Sequence, residues 1–397
     1  MTRLWFDVSA AHGWHRPPSG IIRVELECLR LALQLPVGQV GFCVFDGAME
    51  CWYEMPAEVA ARLLDRAHRQ ADAAPEPTWQ PRSSPLRFQP GDGYVCLSAD
   101  QTLARFVALY QARSQLGLRV FGMVYDLIPI LFPHFYWNQA DQSCARFMVD
   151  LVTVCEHLFC ISQATRRDLM AFCQDVGIAP PPVSVVRLGD ALAAPSGAVS
   201  DSVCELARQP FVLVVGTVEI RKNHETLYRA VLDVLARGQA EPPRLVFAGM
   251  RGWRVDDLLL SLELDPRVRG RIVHLPHATD ADLQYLYQHC LGTAFPSQYE
   301  GWGLPVAESL AHGKPCLVAR NSAMPEIAAE SLLTFLDTFD VRGWADALVR
   351  LGGDAAWRQQ QEQRIRAQYR VTAWAEPARQ VLQHSLAALR RGGGPVQ

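Results

Sequence analysis

The sequence predicts an α/β protein made of two doubly wound parallel sheets, and three observations lead there. The chain has 397 residues, more than one ordinary hydrophobic core organises, so two domains of roughly 200 residues are expected. Short continuous apolar runs recur, of which Phe211–Val215 is the clearest. A strand covered on both faces has this pattern, as happens when helices pack above and below a parallel sheet. Between the runs, apolar residues return at helical spacing, so strand and helix alternate along both halves.

The bulk properties narrow the class. The chain is 49% apolar and 20% charged, with a formal net charge of −3. That balance gives no sign of a nucleic-acid partner. None of the eleven cysteines forms C-x-x-C, and most lie in apolar runs. They read as buried thiols of a reducing compartment rather than disulfides or zinc ligands. Asp7 interrupts the amino-terminal apolar residues, so no secretory signal is expected. No stretch approaches the ~20 apolar residues of a membrane span. A cytoplasmic protein is expected, with any membrane attachment peripheral and at the inner face.

In the first half, Leu4–Val8 reads as a strand, and a turn-rich segment from Ala10 to Ser19 leads to Gly20. Ile22, Leu26, Leu29 and Leu33 then follow helical spacing until Pro36. Val40–Phe45 reads as a second strand. Ala73–Gly93 carries five prolines and reads as a loop. Tyr94–Leu97 and Leu118–Val124 are strands flanking a helix from Thr102 to Gln115, with Gly117 as its stop. Asp126 follows the second of these strands, at the end of the sheet where open α/β folds bind ligands; a turn role is the alternative. Phe132, Phe135, Tyr136 and Trp137 suit a sugar site or core packing. A helix and a strand reach Ile161, Ser162 caps the next helix, and Val183–Val186 closes a domain spanning 1–190. Residues 188–210, rich in Ala, Ser, Gly and Asp, read as the connection.

The second domain, 210–370, alternates more clearly. Phe211–Val215 ends in Gly216 and Thr217, and Arg221 and Lys222 precede Asn223, the expected N-cap of a helix reaching Arg237. Strands follow at Leu245–Ala248, Ile272–Leu275, Gly292–Phe295 and Pro315–Ala319. The residues from Ala355 on read as helices interrupted at Trp374, with a frayed tail from Arg390 to Gln397. Asp280-Ala-Asp282 has the D-x-D form of a metal site, but Thr279 and Asp282 also form a helix-start signature. Capping is the preferred reading, and no metal is expected.

The chemistry concentrates in Tyr299–Glu308. Pro305 suits the first helical position, Gly313 suits the stop, and Glu308 is expected in the first turn with Glu300 on the loop before it. Amides near Gly303 and Leu304 make an anion-favouring helix end. Two cations, Arg221 and Lys222, would stabilise charge growing on departing phosphates; two solvated loop charges are the alternative. A glycosidase pair made of Glu300 and Glu308 is disfavoured, because a diphosphate leaves well once neutralised and needs no acid.

These stretches carry a resemblance. Gly216–Asn223, Phe295–Glu308, Ala311–Pro315 and Met324–Glu326 resemble glycosyltransferase family 4, the retaining nucleotide-sugar transferases of GT-B fold. Ser19–Arg23, Val124–Pro129 and Ile161-Ser162 resemble that family's first half more thinly. The resemblance implies two Rossmann-like domains facing across a cleft, with a final helix (374–391) crossing back to the first domain. It implies a catalytic set of Asp126, Arg221, Lys222 and Glu300. The expected nucleotide-sugar-binding set is Gly20, Gly216, Thr217, Gly301, Gly303, Leu304 and Glu308. Within these, Arg221 and Lys222 would hold the diphosphate, Glu308 the ribose hydroxyls and Glu300 the donor sugar. Three positions depart from the family pattern: Tyr125 replaces a histidine, Pro276-His277 a glycine, and Trp302 a phenylalanine. The implied reaction moves a hexose or deoxyhexose of mannose, rhamnose or glucose type from a nucleoside diphosphate. The acceptor is a glycan or lipid-linked glycan of a bacterial surface polysaccharide, and no cofactor beyond the donor is required. A GT-B epimerase or phosphorylase, and a non-catalytic nucleotide-sugar-binding partner of an assembly complex, remain the alternatives.

Overall fold

The structure, a computed structural model, describes residues 2–14, 20–36, 38–66, 79, 84–99, 102–137, 139–191 and 197–391. Most of the proline-rich loop, Ser19 of the first glycine motif, part of the expected connection and the last six residues of the tail lie outside the described residues. The chain divides into two compact units, one of Met1–Pro133, Asn138–Gly189 and Thr372–Gln397, the other of His134–Trp137 and Asp190–Val371.

In the first unit, β1 (Leu4–Asp7), β2 (Val40–Asp46), β3 (Cys51–Met55), β4 (Gly93–Cys96), β5 (Arg119–Val124), β6 (His157–Cys160) and β7 (Val183–Val185) form one sheet. Its order is β3-β2-β1-β4-β5-β6-β7. All pairings are parallel except β2 with β3, an antiparallel edge hairpin. Sequence reading missed β3 and the helix Ala57–Arg66 after it, because Glu54 breaks the apolar run that marks the central strands. It also missed a short helix, Ser9–Gly13, inside the stretch read as turns. The final helix, Ala375–Arg391, packs on the helix Ile21–Ala32 and on β4 of this unit.

The second unit is built on β8 (Phe211–Val215), β9 (Arg244–Ala248), β10 (Ile272–Leu275), β11 (Gly292–Phe295), β12 (Cys316–Ala319) and β13 (Thr334–Leu336). Every pairing is parallel. The order β10-β9-β8-β11-β12-β13 is the doubly wound 3-2-1-4-5-6 arrangement, whose order reverses between β8 and β11. The period of two along β8 explains its unbroken apolar run. Val212 and Val214 face a core with Leu227, Ala230, Trp344 and Leu348, while Phe211 and Leu213 face another with Val246, Leu286 and Tyr287. Each such side chain, fully buried, contributes roughly 1.5–3 kcal/mol. Three strands or α-helices of this unit were not read from the sequence: β13, the helix Val341–Gly353, and the helix Asp201–Leu206 inside the stretch taken as a connection.

Candidate functional site

The point where the strand order reverses, between β8 and β11, is where loops from neighbouring strands part and leave room for a ligand. Gly216 and Thr217 follow β8 directly. Gly216 has φ +139, a conformation only glycine holds without strain, and the chain then turns through a short 3₁₀ segment, Ile220–Lys222. The loop after β11 carries Ser297, Tyr299 and Glu300. It is tied to the β8 loop by Gln298 N donating to Arg221 O (2.8 Å) and Gln298 Nε2 donating to Ile220 O (3.0 Å).

The charged groups meet here. Lys222 Nζ stands 2.5 Å from Glu300 Oε1, and Arg221 Nη1 stands 2.7 Å from the same oxygen. Ser297 Oγ donates to it as well, at 2.6 Å. The other arm of Arg221, Nη2, pairs with Glu219 at 2.6 Å, and Nη1 also donates to Tyr299 O at 2.7 Å. Arg221, Lys222 and Glu300 keep 13%, 14% and 10% side-chain exposure, against 3% for Glu219. They are mostly desolvated and still reachable. Burial pushes the Glu300 carboxyl up, but Arg221 and Lys222 override it and hold the group at about 2. For Lys222, burial with the neighbouring Arg221 outweighs the pull of Glu300 and lowers the ammonium. Burial raises Glu219, with Arg221 and Lys222 opposing.

Asn223 occupies the N-cap of helix His224–Arg237 as expected, but in a left-handed conformation and with no side-chain cap hydrogen bond. Its Nδ2 instead donates to Pro296 O (3.2 Å) and Thr338 O (3.0 Å). The side chain expected to cap a helix therefore stitches the loops after β8, β11 and β13 together.

Helix Leu304–Ala311 starts one residue earlier than read: Gly303 is the N-cap and Pro305 the second helical residue. Gly303 has φ +117, and a Cβ there would lie 2.6 Å from Met324 Cε. Conformation and close packing together require glycine. The earlier start moves Glu308 out of the first turn, a correction to the expected geometry. Its Oε2 accepts a hydrogen bond from the Tyr287 hydroxyl at 3.0 Å, and Tyr287 stacks on His312 at 4.8 Å. Gly301 and Leu304 sit on the same loop and helix start, and Trp302 is buried. Leu304, the first helical residue, carries an N–H that a helix start leaves without an intrahelical partner, whereas Pro305 has none and Val306 N and Ala307 N donate to Gly303 O at 3.0 and 3.3 Å.

Thr279 and Asp282 form the expected capping box. Asp282 also accepts from Ser200 N and Oγ (2.8 and 2.9 Å), so its carboxylate is fully engaged in structure.

Gly20 and Asp126 belong to the first unit. Gly20 is the N-cap of helix Ile21–Ala32. Asp126 Oδ1 accepts from Ile128 N at 3.0 Å, the turn-forming pattern of such residues. Neighbouring Tyr125 is buried and donates to Leu97 O at 2.7 Å. Of the four aromatics beyond, Phe135 is buried and Trp137 is 62% exposed, and Tyr136 packs on Trp253 at 5.7 Å.

Sequence reading missed Glu219, Ser297, Ser322 and Tyr287. Ser322 Oγ accepts from Glu300 N at 3.0 Å. Ser297 alone carried a local signal, standing in the run that leads to Glu300.

Two sheets of this kind, the second in 3-2-1-4-5-6 order, define the GT-B fold. Sucrose-phosphate synthase from Thermosynechococcus elongatus shares it over 99% of this chain and 100% of its own, with TM-score 0.63 and 15% identity. Anabaena HepE in complex with UDP-glucose does so over 98% of both chains, with TM-score 0.58 and 14% identity. Residues 204–368 match the family model of glycosyl transferases group 1. In sequence, the chain is 32% identical over 170 residues to an Escherichia coli O-antigen chain mannosyltransferase B, covering 43% of this chain and 44% of that one. It is 27% identical over 260 residues to the E. coli serotype-specific mannosyltransferase WbdA, covering 62% and 31%. The chain thus spans less than half the length of these curated relatives. Among the described residues no helix is long and apolar enough to cross a membrane.

Proposed function

We propose that this chain is a retaining glycosyltransferase of family 4 that moves a hexose, with mannose favoured, from a nucleoside diphosphate donor to a glycan or lipid-linked glycan of a bacterial surface polysaccharide. The observation that carries the reading is the largely buried pair Arg221 and Lys222 at the reversal point of the second sheet, facing Glu300. The two E. coli mannosyltransferase relatives support the sugar. Charge accumulates on the diphosphate as the glycosidic bond breaks, and cations held in a water-poor site stabilise it most at that moment. Metal is then not required for the leaving group. The acceptor hydroxyl attacks from the face the diphosphate leaves. A new C–O bond forms as the old one breaks, and the acceptor proton passes to a departing phosphate oxygen. Asp126 stands on the acceptor side, Glu300 orients the donor sugar, and Glu308 holds the ribose. Gly20, Gly216, Thr217, Gly301, Gly303 and Leu304 contribute backbone around the donor.

The test is product formation from a panel of nucleoside diphosphate sugars with a lipid-linked acceptor, in chelator, with the new linkage read by NMR. An α-linked donor is expected to give an α-linked product. An inverted linkage, or strict dependence on a divalent ion, would overturn the mechanism. Phosphate-dependent turnover without a nucleotide-sugar would identify a phosphorylase.

A further inference from the structure

Three donors converge on a single oxygen of Glu300: Lys222 Nζ at 2.5 Å, Ser297 Oγ at 2.6 Å and Arg221 Nη1 at 2.7 Å. Two cations and a hydroxyl around one anionic oxygen is the reception a phosphoryl oxygen requires. The second carboxylate of the cluster is placed differently. Glu219 takes only the outer arm of Arg221. Its neighbours hold it on both sides, Val218 bridging to Arg251 and Ile220 N donating to Trp253 O at 3.2 Å. Glu300 lies on the loop between β11 and the helix at Leu304, where its own N–H donates to Ser322 Oγ at 3.0 Å and Gly301 and Gly303 follow.

We propose that Glu300 is an internal counter-ion, displaced when a diphosphate takes over Arg221, Lys222 and Ser297, while Glu219 is the fixed counter-ion that keeps Arg221 aimed. This rests on the diphosphate-sugar reading of the site. Two buried cations without a partner would be costly, and a carboxylate that satisfies them keeps the site formed. The same carboxylate competes with the ligand, so the site binds diphosphate less tightly than its cations alone would. Its return helps expel the product diphosphate. Displacement also frees the Glu300 carboxylate to meet the sugar hydroxyls, which links leaving-group capture to sugar orientation.

The experiment is calorimetric titration of wild type, Glu300→Gln, Glu300→Ala and Glu219→Gln with inorganic pyrophosphate and with nucleoside diphosphates. Thermal unfolding establishes that each variant is folded, and the alanine variant serves if the glutamine variant is not. Removing the competing charge at Glu300 is expected to tighten binding about tenfold or more and to steepen its salt dependence. Turnover is expected to fall, with stronger inhibition by product nucleoside diphosphate. Glu219→Gln is expected to bind no tighter than wild type. A Glu300 variant that is folded and binds pyrophosphate as weakly as wild type, or more weakly, overturns the counter-ion role alone. If neither wild type nor variant binds pyrophosphate or any nucleoside diphosphate, the donor reading falls with it.

Discussion

Both sheets reverse their strand order once, and at both reversal points a carboxylate and an arginine meet, yet the two clusters are built for different ends. Between β1 and β4, Asp7 and Arg105 are 2% and 1% exposed and stand 3.3 Å apart. The Tyr94 hydroxyl donates to Asp7, Ser9 N donates to its other oxygen at 2.8 Å, and Arg105 donates to Ser98 Oγ at 3.2 Å. Every charge there is carried by an element packed into the core. Between β8 and β11 the charges keep some access to water, and one of them sits on a glycine-bearing loop. A sealed ion pair fixes where elements meet, whereas a pair that stays reachable can exchange its partner for a ligand.

The largest effects would come from removing one cation at each point. Lys222→Ala is expected to lower kcat/KM by about 10²–10³-fold, the scale of losing one stabiliser of developing charge, and to leave the unfolding temperature within a few degrees. Arg105→Ala leaves Asp7 buried without its cation, and its cost is expected at ~3–5 kcal/mol of stability. Kinetics and thermal unfolding of both variants decide the matter. An Arg105 variant with wild-type stability, or a Lys222 variant that unfolds early, would erase the distinction.

The difference between the clusters also sets what could be read from sequence. Arg221, Lys222, Glu300 and Glu308 are legible because their residue types, spacing and flanking glycines are local. The alternation of strands and helices is legible for the same reason, since Phe211–Val215 and its counterparts carry their burial in their composition. Tyr287 and Ser322 were invisible, because what makes them matter is a partner far away in sequence, Glu308 and Glu300, whereas Glu219 pairs with Arg221 only two residues on and was passed over inside the motif. The helix start was misjudged by one residue because Pro305 fits either of its first positions, and only the packing of Gly303 on Met324 selects between them. Asn223 shows the same limit: its position was read correctly, while its Nδ2 ties three loops together and its Oδ1 accepts from Thr226 Oγ1 of the helix at 2.9 Å instead of capping a backbone N–H.

A smaller effect, spread over both units, is acid lability. His157 on β6 packs against His384 of the final helix with ring centres 3.9 Å apart. Burial and the neighbouring His384 hold His157 down to about 4. Glu156 and Arg391 are the other charged groups bearing on this pair. In the second unit, burial, then Lys222 and His274, hold His224 down to about 3. A histidine depressed in the folded state is neutral there while the unfolded chain takes up a proton near 6.5. Its contribution is therefore present above pH 6.5 and lost as pH falls towards the folded value. For His157 the loss falls between pH 6.5 and about 4. The unfolding temperature is expected to be level above pH 7 and to drop steadily from 6.5 to 4. His384→Leu should flatten part of that drop. An undiminished slope in that variant would place the proton uptake elsewhere.

The finest test exchanges the two tyrosines for phenylalanine. Each hydroxyl donates to a carboxylate, Tyr94 to Asp7 and Tyr287 to Glu308, so each loss removes a hydrogen bond to a charged group, worth about 1.5–3 kcal/mol. At the sealed point all of it is expected to appear as stability, because Tyr94 also accepts from Trp52 Nε1 at 3.3 Å and that buried donor would be stranded. At the open point Glu308 keeps access to water and can be solvated when its donor is gone. Tyr287→Phe is therefore expected to cost about 1 kcal/mol or less in stability and to raise the donor KM by roughly three- to tenfold, with kcat within about twofold, the pattern of lost uniform binding. Donors lacking a ribose hydroxyl sharpen the result. If Glu308 grips that hydroxyl and Tyr287 aims it, wild type should discriminate against a 2′-deoxy donor and Tyr287→Phe much less so. Equal discrimination by both would mean that Tyr287, like Tyr94, only holds the fold together.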